Sequence, residues 1–367
     1  MKKISNFLVI SNLLILVTFS SCNSVVPQYE ETINYHTSFF LLNEGEWSKN
    51  NATLGFFNRK TTEYKRDVFS QINPNVVGGM GDVGNDLMIY GGKLYAVINC
   101  SNLVRVMNAK TAQYIGSVNI TNCRNINFYN GKVYVSSWSD ITYGNADKNG
   151  YIVEIDTANL QIIRKVDVGR QPEEIEFLNG KMYVANSGGY TAELDSTISV
   201  VNLQTFTEEK KIVVAKNPQK LCKAGNTLYT LALGNYYDID PDIYVIENDK
   251  KVGNLGIYAS NFCICGDSLY ILSNETDWSA GTTVAKYIIY NVKNQQVVTE
   301  NFITDGTQEN IATSYGIAVN PTTKEIFVTD AKNYTTSGEL FCFSPAGKKL
   351  WNVSTGVIPK KIVFLWE

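Results

Sequence analysis

The sequence predicts an all-β fold, a seven-bladed β-propeller, on three observations. A strand–tight turn–strand unit recurs along the chain, seven aromatic anchors mark it at blade-length intervals, and a C-terminal segment supplies the strand that the first unit lacks.

The unit is clearest in Phe128-Tyr129-Asn130-Gly131-Lys132-Val133-Tyr134-Val135 and in Phe177-Leu178-Asn179-Gly180-Lys181-Met182-Tyr183-Val184. Asn-Gly between apolar runs is a strong hairpin signal because both residues accept positive φ. Weaker copies turn at Gly91-Gly92, Gly225-Asn226, Gly266-Asp267 and Thr322-Thr323. Phe40, Tyr95, Tyr134, Tyr183, Tyr229, Tyr270 and Phe327, taken as equivalent anchors, are 39 to 57 residues apart. A four-stranded blade takes ~40–50 residues. An apolar third strand follows each anchor, as in Ile198-Ser199-Val200-Val201, and a turn such as Asp156-Thr157-Ala158-Asn159 leads to a fourth. Phe39-Phe40-Leu41-Leu42 has no first strand before it. Ile358-Pro359-Lys360-Lys361-Ile362-Val363-Phe364-Leu365 matches the way Gln171-Pro172-Glu173-Glu174-Ile175-Glu176-Phe177-Leu178 opens a blade. The C-terminal strand is therefore expected to pair with the N-terminal blade and close the ring, leaving no long open edge.

Composition narrows the function. At 44% hydrophobic and 18% charged residues the chain is too apolar for disorder. Lys+Arg 32 against Asp+Glu 35 leaves a net charge of -3, with no basic footprint for nucleic acid. The only histidine, His36, precedes the first anchor. Most metal sites and a Ser/His/Asp triad are thereby excluded, and the chain reads as a binding protein, not an enzyme, with no cofactor of its own.

Lys2 and Lys3 precede an apolar stretch, Phe7 to Phe19, too short to span a membrane and ordered like an export signal. It ends in Phe19-Ser20-Ser21-Cys22, which resembles a bacterial lipobox. The expected organisation is a signal peptide over 1–21, a lipidated Cys22 with a tether over 22–36, and the propeller over 37–367.

Strands alternate direction within a blade, so Asn-Gly turns share one face. Second-to-third-strand loops and blade-to-blade connections share the other, and that face gathers aromatic residues and amides. Trp47, Trp138, Tyr190, Tyr236, Tyr237, Trp278 and Tyr334 are the expected contact residues, with Asn186, Arg124 and Arg170 as polar partners. Aromatic groups offer broad apolar contact with a polar tip. Desolvated amides need partners, which a ligand rich in carboxamides or hydroxyls supplies.

Other signals carry less. Gly79-Met80-Gly81-Asp82-Val83-Gly84 matches a dinucleotide fingerprint, but a strand pattern follows it where a helix is required. Asp238, Asp240 and Asp242 lack the Gly and Glu of an EF-hand loop and read as a solvated acidic loop. Glu173 and Glu174 are adjacent on a strand pattern, which sends their side chains to opposite faces. The cysteines behind Cys22 fall mostly on strands as small hydrophobes, with Cys100–Cys123 the one pair worth testing as a disulfide.

Residues 179–190, Phe327 to Tyr334 with the following Gly-Glu-Leu-Phe-Cys-Phe, and Thr355 to Leu365 resemble YncE-type seven-bladed propellers. With the lipobox, the chain is similar to the lipoprotein branch of that family, which includes the surface cobalamin-binding BtuG proteins. The resemblance implies a lipid-anchored, cell-surface protein of the outer membrane. It would capture vitamin B12 (cobalamin) and pass it to a TonB-dependent transporter of the BtuB type. The contact residues above come from loop placement, not from a matched family motif. A non-catalytic scaffold that binds a protein or glycan at the cell surface would use the same rim.

Overall fold

The computed structural model describes residues 38–139, 148–189, 193–277 and 280–365. The signal peptide, Cys22 and the tether lie outside the described residues.

Strands collect into seven four-stranded antiparallel sheets arranged as a β-propeller. Blade 1 combines the two ends of the chain, Pro359–Leu365 innermost, then Ser38–Asn43, Thr53–Asn58 and Glu63–Lys65. Ser38 faces Leu365 and Leu41 faces Ile362. Blades 2 to 7 each follow the chain outward from an inner strand. These are Gly84–Tyr90, Cys123–Tyr129, Pro172–Leu178, Pro218–Ala224, Asn261–Cys265 and Ser314–Val319. The second strand of each carries the anchor. Tyr134 pairs with Asn127, Tyr183 with Glu176, Tyr229 with Cys222 and Tyr270 with Cys263, one position in four successive blades.

The hairpin turns form as the sequence requires, with Asn130 and Asn179 at φ 45° and 51° ahead of Gly131 and Gly180. Among the described residues helix is confined to Val68–Ile72 and a 3-10 turn at Thr307–Asn310. The glycine-rich segment at 79–84 opens the strand Gly84–Tyr90, so no helix N-terminus faces a phosphate there.

Cores lie between neighbouring blades. Tyr95 and Val97 of blade 2 pack with Ile126 and Val133 of blade 3. Where the chain's ends meet, Phe39 stacks on Phe57 at 5.1 Å and Phe57 on Trp351 at 5.0 Å. Offset ring pairs add to burial.

Inner strands share a further feature. Pairing with the second strand slips at Gly84/Asp86, Cys123/Ile126, Pro172/Ile175, Pro218/Lys220 and Ser314/Ile317, a β-bulge near the start of each strand. A bulge bends its strand and re-aims the side chains it carries. Those bulges lie at the mouth of the axial channel.

Two expectations are corrected. Asn186 is not a rim contact. It is fully buried, accepts from the Gly169 amide at 3.1 Å, and donates to Thr197 Oγ1 and Ser199 Oγ. A Cβ at Gly169 would overlap that amide, and Gly356 stands in the same relation to Asn43 in blade 1. Both asparagines are braces at the end of a second strand. Cys100 and Cys123 are separate thiols, the latter buried with its Sγ toward the carbonyls of Ile98 and Leu103.

Candidate functional site

On the loop face the inner strands surround a cavity of about 970 Å³. Its floor is a polar collar contributed blade by blade near the start of each inner strand, at a bulge in every blade but the sixth. It comprises Asn85, Arg124 with Asn125, Glu173 with Glu174, Gln219 with Lys220, Asn261, Tyr315 and Lys360. Adjacent residues such as Glu173 and Glu174 both line it, contrary to the strict alternation expected for a flat strand. The bulge between Pro172 and Ile175 breaks that alternation.

Charges in the collar are paired, two of the three pairs across blades and Lys360 with Glu44 within blade 1. Arg124 Nε lies 3.2 Å from Glu173, Lys220 Nζ 3.4 Å from Glu174, and Lys360 Nζ 3.2 Å from Glu44. Just below, Lys361 meets buried Asp86 at 3.1 Å. Burial pushes the Glu173 carboxyl above the usual glutamate range, while Arg124 and then Lys360 pull it back. Burial opposes the charge on Lys361, but Asp86 and Glu174 outweigh it and raise its pKa. The Tyr315 hydroxyl donates to Glu44 at 2.8 Å. Burial first, then the Glu44 charge, pushes its pKa well up, which keeps the phenol protonated as a fixed donor.

Amides tie the collar together as well. Asn85 donates to the Arg124 carbonyl and Asn261 to the Tyr315 carbonyl, both at 2.7 Å. Above the collar the wall is aromatic on one side. Tyr334 meets Tyr315 edge-on at 5.9 Å, and Tyr236, Tyr237 and Tyr258 stand over blades 5 and 6.

The sequence-predicted residues therefore divide. Arg124, Tyr236, Tyr237 and Tyr334 line the cavity. Trp138 is buried beneath Arg124, whose guanidinium lies 4.0 Å from the indole centroid. Such a contact fixes the arginine more than it offers a ligand surface. Arg170 reaches Asp195 at 3.9 Å and is not part of the lining. Trp47, 76% exposed, stands on the same face outside the cavity. Tyr190 and Trp278 lie outside the described residues.

Sequence reasoning placed Glu44, Asn261 and Tyr315 on the loop face without choosing them as contacts, and it missed the collar lysines Lys220 and Lys360. The signal for the lysines was the repeated opening of inner strands, Pro-Glu-Glu-Ile at 172–175, Pro-Gln-Lys-Leu at 218–221 and Pro-Lys-Lys-Ile at 359–362. Asp242 is drawn into structure, accepting from Asn254 and the Ile257 amide. No cluster of three metal-ligating side chains occurs among the described residues.

A family model described as a domain of unknown function, DUF5074, matches residues 37–355. No curated protein matches the sequence. Among solved structures, a quinonprotein alcohol dehydrogenase-like protein from Bacteroides thetaiotaomicron is similar, with 17% identity and a TM-score of 0.62 over 91% of this chain and 79% of that one. A functionally unknown protein from Desulfotomaculum acetoxidans gives 11% identity and a TM-score of 0.59 over 89% and 98%. Kuenenia stuttgartiensis hydrazine synthase gives 16% and 0.55 over 69% and 74%. At these identities the likeness speaks for the propeller fold alone.

Proposed function

We propose, for a chain that belongs to the DUF5074 family, that the loop face is a non-catalytic capture site for a large amide-rich small molecule, cobalamin being the specific candidate. The carrying observation is the axial cavity, in which amides and tyrosines accompany three collar cations, Arg124, Lys220 and Lys360, each already paired with a carboxylate. A multiply charged ligand would have to break these ion pairs. A neutral one bearing many carboxamides needs donors and acceptors without net charge, which Asn85, Asn261, Gln219 and the tyrosine hydroxyls supply. The volume suits a bulky ligand, at the top of the ~300–1,000 Å³ usual for small-molecule pockets. Propeller residues 38–367 contain no histidine, so the protein brings no imidazole to cobalt.

In this reading Cys22 carries the lipid anchor, the propeller sits on the outer face of the outer membrane, and the ligand passes to a TonB-dependent transporter of the BtuB type. The collar carboxylates Glu173 and Glu174 are each engaged by a cation, which favours binding over acid–base catalysis at the collar. The exposed Trp47, outside the cavity, favours a second reading in which the rim docks a protein or glycan. Calorimetry with cyanocobalamin decides between them. Capture gives saturable one-to-one heat at micromolar concentration, weakened at least tenfold by Tyr334→Ala or Asn261→Ala. Absence of heat at that concentration rejects the corrinoid and leaves the scaffold.

A further inference from the structure

The cavity is not confined to the axis. It runs outward over the seam between blades 5 and 6, where Leu231, Leu233, Ile239 and Pro241 from blade 5 and Tyr258 and Ala259 from the connection to blade 6 join the lining alongside the polar Asp240, Asn274, Glu275 and Thr276.

That seam differs from the others at the inner strands. Pro218–Ala224 and Asn261–Cys265 approach each other less closely than any other neighbouring inner pair. Among the described residues, no hydrogen bond or ion pair joins these two strands; Lys220 Nζ lies 5.9 Å from the Phe262 ring centroid, and the Cys263 thiol is close enough to Lys220 and Cys222 to feel their charge.

Every other seam is tied at an inner strand. Lys361 reaches Asp86 between blades 1 and 2, and Asp86 takes the Ile126 amide between 2 and 3. Asn127 reaches the Ile175 carbonyl between 3 and 4, and Glu174 takes the Leu221 amide between 4 and 5. Asn261 reaches Tyr315 between 6 and 7, and Thr329 the Pro359 carbonyl between 7 and 1.

Residue type explains the exception. Where Asp86 and Glu174 reach forward to the next blade, blade 5 has Lys220, whose ammonium turns back to Glu174. Where Asn127 does so, blade 5 has Cys222, too short and too weak a donor to bridge. Apolar packing alone holds the seam, through Leu231, Ala259, Phe262 and Ile271.

We propose that this seam is a subsite for a flat apolar group, an aromatic ring carried by the molecule whose polar body the collar holds. The proposal rests on the capture reading for that second half. A slot over the packed seam, bounded by tyrosines, a proline and leucines, accepts a ring by stacking and dispersion. Its untied edge lets the blades part without breaking a polar bond.

Fluorescence titration of the whole chain with N-phenyl-1-naphthylamine, a neutral ring probe, tests the subsite. One saturable site with blue-shifted emission is expected, weakened at least tenfold by Leu233→Lys and unchanged by Trp47→Ala. Tyr258→Ala, at a partly exposed position, serves as the second variant should Leu233→Lys not fold, with the same weakening expected. No saturable site, or equal weakening by Trp47→Ala, overturns the subsite. The two readings fail separately. Probe binding without heat from cyanocobalamin keeps the slot and removes the corrinoid. Heat from cyanocobalamin without probe binding removes the slot alone.

Discussion

Arg124 holds a charge that the fold cannot leave unpaired. Glu173 is buried at the collar, and its partners are the Arg124 guanidinium at 3.2 Å and, more remotely, Lys360. Removing one member of a buried pair costs about 3–5 kcal/mol, because the survivor keeps its desolvation without its compensation. Arg124→Ala is expected to lower the urea midpoint accordingly, and Glu173→Gln in that background to recover most of the loss. The sign with pH follows from the raised Glu173 carboxyl. The folded state holds that proton more tightly than the unfolded one, so this group's contribution is full below the ordinary glutamate range of about 4.5 and declines as pH climbs through the raised folded value. Arg124→Ala widens that window, and its deficit should shrink on acidification. A deficit equal at pH 4 and pH 7 would contradict this account.

Hairpin turns do more than reverse the chain. On the turn face, Asn248 and Asp249 both sit at positive φ between the outer strands of blade 5. The Asp249 carboxylate accepts from the Tyr183 hydroxyl and pairs with Lys181 at 2.9 Å and Lys210 at 3.0 Å, all from blade 4. Burial opposes its charge, yet the three donors outweigh it and hold its pKa at about 2. A depressed carboxylate stabilises above its unfolded pKa and loses that contribution as pH falls through the folded one. Wild type should therefore lose roughly 2 kcal/mol between about pH 4 and pH 2 through this group. Asp249→Asn should show the loss already at pH 7 and a flatter acid limb in urea titrations. Legibility at this scale was uneven. The Asn-Gly turns and Tyr-Val strands were readable because turn chemistry and period-2 alternation are local. The collar was not, because a bulge admits two neighbours such as Glu173 and Glu174 to one cavity, and sequence alternation assigns them to opposite sides. Asn186 misled for a related reason. At the end of its strand it resembled a loop amide, but Gly169 leaves room for it to turn inward.

At the scale of the molecule, antiparallel order assigns the chain's ends to one face. Ser38 pairs with Leu365, and Leu365 ends an inner strand just as Leu178 does ahead of the Asn179-Gly180 turn. Chain thus enters and leaves the propeller on the turn face, whereas the collar and tyrosine wall open on the other. Any partner that receives ligand would meet the loop face. Immobilising the protein through a tag ahead of residue 38 should leave cyanocobalamin capture at its solution level in surface plasmon resonance. Immobilising it through a cysteine placed by Trp47→Cys, on the exposed rim, should reduce capture severalfold by crowding the mouth. Equal capture in both orientations would mean that ligand reaches its site by some route other than the loop face, and the topological argument for an outward-facing mouth would fall.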